Sequence, residues 1–174
     1  VKLRIHSGSA FDPKDKEGVM ALLADILFPN EQVREFFADD LGGSLEVVSN
    51  HDYIQITATG ANDQILTILE TIATAVTNPA INKENTAKVK NARLAMIKER
   101  EKNANFVADQ AARTRLFGNF PYGRAQSGTE ASLAKIDFAD LLFAQERFLS
   151  ADNATLAVAG NFKNDVIFRA VRRY

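Results

Sequence analysis

Val1, Leu3 and Ile5 alternate with Lys2, Arg4 and His6, the period-two pattern of a strand with one buried face. Gly8, Pro13 and Gly18 then mark a loop. Between Lys16 and Phe28 the period changes. Val19, Leu22, Leu23 and Ile26 recur at helical spacing, and Ala21, Ala24 and Asp25 fall on the opposite face. A short polar helix from Gln32 to Asp39 follows, and Gly42 and Gly43 break the chain. The stretch "SLEVVSNHDYIQITATG" reads as a hairpin whose tight turn runs from Ser49 to Asp52.

Asn62 to Val76 carries Ile65, Ile68, Leu69 and Ile72 at helical spacing despite its threonines, and Pro79 ends it. Lys83 to Asn103 is a strongly charged helix with Val89, Ala92, Met96 and Ile97 as a thin apolar seam. Asn105 is placed to cap a further helix ending at Phe117, after which "GNFPYG" is loop. Thr129 and Asp137 are placed to cap a short helix and the helix of "FADLLFAQERF". "NATLAVAGNF" is a last strand, with Leu156 and Val158 on one face. Strand, helix, hairpin, several helices, strand is not the regular alternation of a parallel doubly wound sheet. It predicts an α+β fold, an antiparallel sheet of four to six strands covered on one side by helices. No repeat and no Pro/Ser linker divides the chain, so residues 1–174 read as a single domain. The chain opens directly on a strand and stops on "VIFRAVRRY" without a helix stop signal, the pattern of a fragment cut at both ends.

Composition narrows the picture. At 174 residues, 46% apolar and 25% charged, the chain is long enough to bury a core and reads as globular. A formal charge of -1 argues against nucleic acid as the main partner, and the local basic group Arg169, Arg172 and Arg173 is too small to reverse that. With no cysteine there is no disulfide, thiolate metal site or cysteine nucleophile. The apolar runs are shorter than a membrane span.

Five stretches, in order, resemble one family. They are "SGSAFDPKDKEG" leading into a helix that ends in "LF", then "LGGSLEVVSNHDY", "KEREKN", "LFGNFPYGRAQSGT" and "NATLAVAGNF". Together they cover nearly the whole chain and resemble the insulinase/pitrilysin family of zinc peptidases, which includes mitochondrial processing peptidase and respiratory core subunits. In that family the first helix carries His-x-x-Glu-His, two imidazoles that bind zinc and a glutamate that polarises the attacking water. The resemblance places Ala21 and Asp25 at the histidine positions and Ala24 at the glutamate. It places the family's third ligand at Glu99, or at Glu101 in a register shifted by two, and a further acidic position of the family at Ala92, where the acid is lost. It therefore implies a member that lacks the zinc motif, with no catalytic residues and no cofactor.

The residues agree with that implication. A catalytic zinc needs three protein ligands around an open position, and Asp25 with Glu99 supplies at most two carboxylates. His6 on its strand and His51 in the hairpin turn lack the spacing of a ligand pair and read as solvated or singly hydrogen-bonded. Asp25 reads as an exposed helix carboxylate. Glu99 and Glu101 read as a charged face paired with Lys98, Arg100 and Lys102.

In the family, the strand after Gly-Gly offers its edge to an extended substrate, a role the resemblance carries onto Leu45, Glu46 and Val47; an ordinary strand paired within its own sheet is the alternative for these residues. Family members also build a chamber from double-domain halves, one zinc-bearing and one inert. The implied function is a non-catalytic homologue that partners a zinc-bearing subunit or second domain and binds peptide or unfolded polypeptide. Alternatives are a peptidase whose catalytic residues lie outside this stretch or in a partner, and a structural core subunit of a membrane complex. By resemblance alone the compartment is the bacterial periplasm, with the mitochondrial matrix as alternative.

Overall fold

The computed structural model describes residues 1–173. Its strands are β1 (Lys2–Ile5), β2 (Ser44–Ser49), β3 (Ile54–Thr59) and β4 (Ala154–Ala157). Its helices are α1 (Val19–Leu27), α2 (Gln32–Asp39), α3 (Ile65–Thr77), α4 (Lys83–Arg100), α5 (Ala104–Phe117), α6 (Glu130–Ala134), α7 (Phe138–Phe148) and α8 (Asn164–Arg173). The strands form one antiparallel sheet in the order β2-β3-β1-β4. This is the α+β arrangement expected from the order of the elements.

The register explains why one face of the sheet is dry. Leu3 lies opposite Ile56 and Leu156, and Ile5 opposite Ile54 and Ala154, so the apolar positions of neighbouring strands line up on one face. Lys2, Arg4, Gln55, Thr57 and Thr155 line up on the other. Because side chains alternate along a strand, slipping any pair by one residue would turn this apolar set into solvent. Arg4 holds the polar face together, donating to Gln55 Oε1 at 2.7 Å and lying over the Tyr53 ring at 4.1 Å.

The helix α1 packs against the sheet side of the core, against α4 and against α7. The sequence pattern predicts an amphipathic helix with Ala21 and Ala24 on its outer face. Both are instead buried, as is every residue of α1 except Asp25. The reason is the size of alanine: small side chains let a second helix approach closely, so the face opposite Leu22 and Ile26 is covered as well. The seam of α4 also differs from the expected one. Ala92 is exposed, and the buried positions are Thr86, Val89 and Ile97. The predicted caps Thr129 and Asp137 both form capping boxes. Asn103, rather than Asn105, caps α5, accepting from the backbone N–H of Asn105 and Phe106. The last strand ends at Ala157, one residue short of Val158.

A buried carboxylate fixes where α1 begins. Asp12 is buried and accepts from Gly18 N at 2.7 Å and Met20 N at 2.8 Å. Gly18 has φ 105°, a left-handed conformation in which a side chain would be strained and would also meet Leu133. Burial pushes the Asp12 carboxyl up to about 7, against these backbone N–H groups, which favour the ionised form. The folded state thus holds this proton more tightly than the unfolded chain does. For this group, stability is fully present below the ordinary carboxylate range and declines as pH rises towards about 7. Urea unfolding at both ends of that range is expected to show a smaller loss of stability with rising pH in Asp12→Asn than in the parent protein.

Candidate functional site

The positions that the resemblance assigns to the zinc motif lie on α1 at its contact with α4. From α1 the contact receives Ala21, Ala24 and Asp25, and from α4 it receives Val89, Arg93 and Ile97, spaced one turn apart. Arg93 spans the gap. Its Nε donates to Asp25 Oδ2 at 2.9 Å, and its Nη2 donates to Asp25 Oδ1 at 2.6 Å and to the Ala21 carbonyl at 3.1 Å. The guanidinium fork therefore occupies both carboxylate oxygens and a backbone oxygen one turn earlier. The side chain of Arg93 is 10% exposed and that of Asp25 35%, so the pair is partly shielded from water. Burial pushes the Asp25 carboxyl above its ordinary range, and Arg93 opposes that rise.

Of the positions carried over from the family, Ala21, Ala24 and Asp25 lie at this contact, and Ala92 lines the cleft beside Asp25 and Arg93. Glu99 is on another side of α4, 74% exposed and accepting from Lys102 Nζ at 2.6 Å. Asp25 is not the freely solvated carboxylate that its place in the helix suggests. Zinc does not fit this donor set: two positions have no donor atom, the carboxylate is bound edge-on by a cation, and the facing helix contributes a guanidinium and aliphatic side chains. Among the described residues, no group of three or more His, Cys, Asp or Glu is placed to hold a metal ion.

The two histidines are engaged elsewhere. His6 Nε2 meets Thr155 Oγ1 at 2.8 Å on the polar face of the sheet. His51 Nδ1 meets Ser9 Oγ at 2.9 Å, and its ring lies 5.0 Å from that of Tyr122. Tyr122 donates to Asp52, and Gln126 donates to the Ser49 carbonyl, so the hairpin turn is tied to the loop after α5. Burial pushes the His51 imidazole down, helped by Arg113.

The free edge of β2 is the second candidate feature. Val1 exchanges bonds with Ala58 in both directions, which fixes Leu3 and Ile5 as the β1 residues that bond to β3. The alternation then makes Ser44, Glu46 and Val48 the β2 residues bonded to β3. The N–H and C=O groups of Leu45 and Val47 point out of the sheet, and among the described residues nothing bonds to them. The stretch is bounded on both sides: Gly43 N donates to the Phe37 carbonyl, and the Ser49 carbonyl is taken by Gln126. The side chain of Leu45 is buried and that of Glu46 is exposed.

The profile of the insulinase family, peptidase family M16, matches residues 1–130, and the chain belongs to that family. It is 23% identical over 172 residues to the non-peptidase homolog YmxG of Helicobacter pylori, covering 95% of this chain and 39% of that protein. Among solved structures it is similar to an inactive M16 peptidase domain from Pseudomonas fluorescens, at 22% identity and a TM-score of 0.83, over 99% of this chain and 43% of that one. It is also similar to pitrilysin, at 16% identity and a TM-score of 0.86, over 99% of this chain and 19% of that one. These structural likenesses show the fold. The chain spans less than half the length of each of these relatives.

Sequence reasoning missed Arg93. A cation within a strongly charged helix gives no signal on its own; its spacing of four from both Val89 and Ile97 on the buried face would have revealed it. Arg93→Ala is expected to destabilise the fold by about 2–4 kcal/mol, because it leaves Asp25 partly buried and unpaired. The double variant Asp25→Leu/Arg93→Met is expected to lose less than the sum of the two single changes. A double-mutant cycle in urea measures the coupling.

Proposed function

We propose that this chain is a non-catalytic homologue of zinc metallopeptidases that binds extended polypeptide and acts as a structural partner of a zinc-bearing subunit or domain. One observation carries the reading: Arg93 fills the contact between α1 and α4, bonded to the Asp25 carboxylate and the Ala21 carbonyl. A guanidinium stays protonated and repels a divalent cation, and no side chain at Ala21 or Ala24 can activate water. Two relatives, one described as a non-peptidase homolog and the other as an inactive M16 domain, point the same way. Because those relatives are more than twice as long, the reading takes residues 1–174 as the first of two similar domains in a longer protein.

Polypeptide binding rests on the edge of β2. An extended segment laid along it would pair with the outward groups of Leu45 and Val47, and backbone pairing tolerates many sequences. Glu46 would contribute its exposed carboxylate on the polar face, giving a preference for basic neighbours.

The purified full-length protein is expected to carry far less than stoichiometric zinc by elemental analysis and to leave peptides uncut; cleavage abolished by a chelator would overturn the reading. Val47→Pro removes an outward donor and leaves the ladder to β3 intact. It is expected to weaken peptide binding about tenfold by fluorescence anisotropy, with the melting temperature little changed. Unchanged affinity would remove the β2 edge from the proposal.

A further inference from the structure

Between α1, α2 and α4 a cleft of about 220 Å³ opens beside the pair of Arg93 and Asp25. Phe28, Val89 and Met96 give it apolar walls, while Arg34 and Arg93 bring two guanidinium groups to it. The side chain of Arg93 is only 10% exposed, and its Nε and Nη2 are engaged by Asp25 and the Ala21 carbonyl. Its Nη1 has no partner among the described residues. Because that atom is nevertheless not sealed from water, its two N–H donors open on the cleft that Arg93 lines.

Charge around the cleft is unbalanced. Asp25 is the one carboxylate among the lining residues, and Arg93 already holds both of its oxygens. Arg34 lies near enough to favour the ionised Asp25, and is itself held only through Nη1, by the exposed Glu31. Such an exposed pair is weak. Lys88 Nζ, which has no carboxylate partner among the described residues, donates to Asn30 Oδ1 at 2.6 Å, next to the lining residue Pro29. Three cations thus meet Asp25 inside and Glu31 outside.

We infer that this cleft binds the C-terminal carboxylate of a polypeptide whose last side chain is apolar, the carboxylate lying between Arg93 Nη1 and the Arg34 guanidinium. An anion there gives Nη1 the partner it lacks, through charge-assisted bonds shielded from water. The apolar walls decide which source of a carboxylate fits. In a terminal residue the carboxylate and the side chain leave the same carbon, so one meets the guanidinium groups while the other meets Phe28, Val89 and Met96. An internal glutamate brings the charge and leaves those walls uncovered. Drug-sized ligands fill roughly 300–1,000 Å³, so this smaller cleft suits a single residue. The inference shares its ion pair with the reading of a dismantled metal site but is independent of the β2 edge. A zinc-free protein that ignores the carboxylate would sink this inference alone.

The test uses a fluorescein-labelled peptide of alanines ending in leucine, and binding to the full-length protein is followed by anisotropy. The same peptide amidated at its C-terminus, and an amidated one with glutamate before the leucine, are the comparisons. The free carboxylate is expected to bind about tenfold more tightly than either amide. Arg34→Gln, which removes a cation, and Ala92→Trp, which fills the cleft from an exposed position, are each expected to erase that preference with the melting temperature little changed. Val47→Pro is expected to leave the preference intact. Equal affinity for the free and amidated peptides, or a preference that survives both Arg34→Gln and Ala92→Trp, would overturn the inference. Tight binding of the glutamate-bearing amide would overturn it by making a side-chain carboxylate the occupant, and a preference lost in Val47→Pro would overturn it by moving the carboxylate to the β2 edge.

Discussion

The fork of Arg93 across Asp25 and the Ala21 carbonyl is the interaction on which the centre of the molecule depends. The helix α1 is buried on nearly every side, so any charge on it needs a partner close by or exposure to water. Asp25 has the partner, and α4 is placed against α1 with the right residue facing inward. Here a hydrogen-bonded ion pair joins them with no ligand to acquire, so the contact forms with the chain itself.

A sheet dry on one face and polar on the other places every strand in a single register. That register also determines which backbone groups are left over at the two edges. At β2 they belong to the residues whose side chains point into the core, and the exposed side chains beside them are those of Ser44, Glu46 and Val48.

Much of the fold was legible because its signals are local. Val1, Leu3 and Ile5 mark a strand by their period, and Thr129 and Asp137 mark helix starts by their hydroxyl and carboxylate. The missing donors at Ala21 and Ala24 could be read directly. The burial of those alanines could not, because an alanine facing solvent and one under a neighbouring helix give the same pattern. Nor could Arg93 be singled out among the cations of α4, since its partner lies 68 residues away. Glu99, which the resemblance carried to a ligand position, lies on the surface, and its reading as part of a charged face paired with Lys102 holds. Position along a helix decides what meets what, and only the packing partner reveals which face matters.

The stretch of β2 with unclaimed backbone groups is closed at one end by Phe37 and at the other by Gln126. Such a bounded window acts as a ruler. A guest chain bound there would add contacts only while it ran between those two stops, so lengthening it further would yield nothing, and discrimination at this edge would fall on the few guest residues opposite the window.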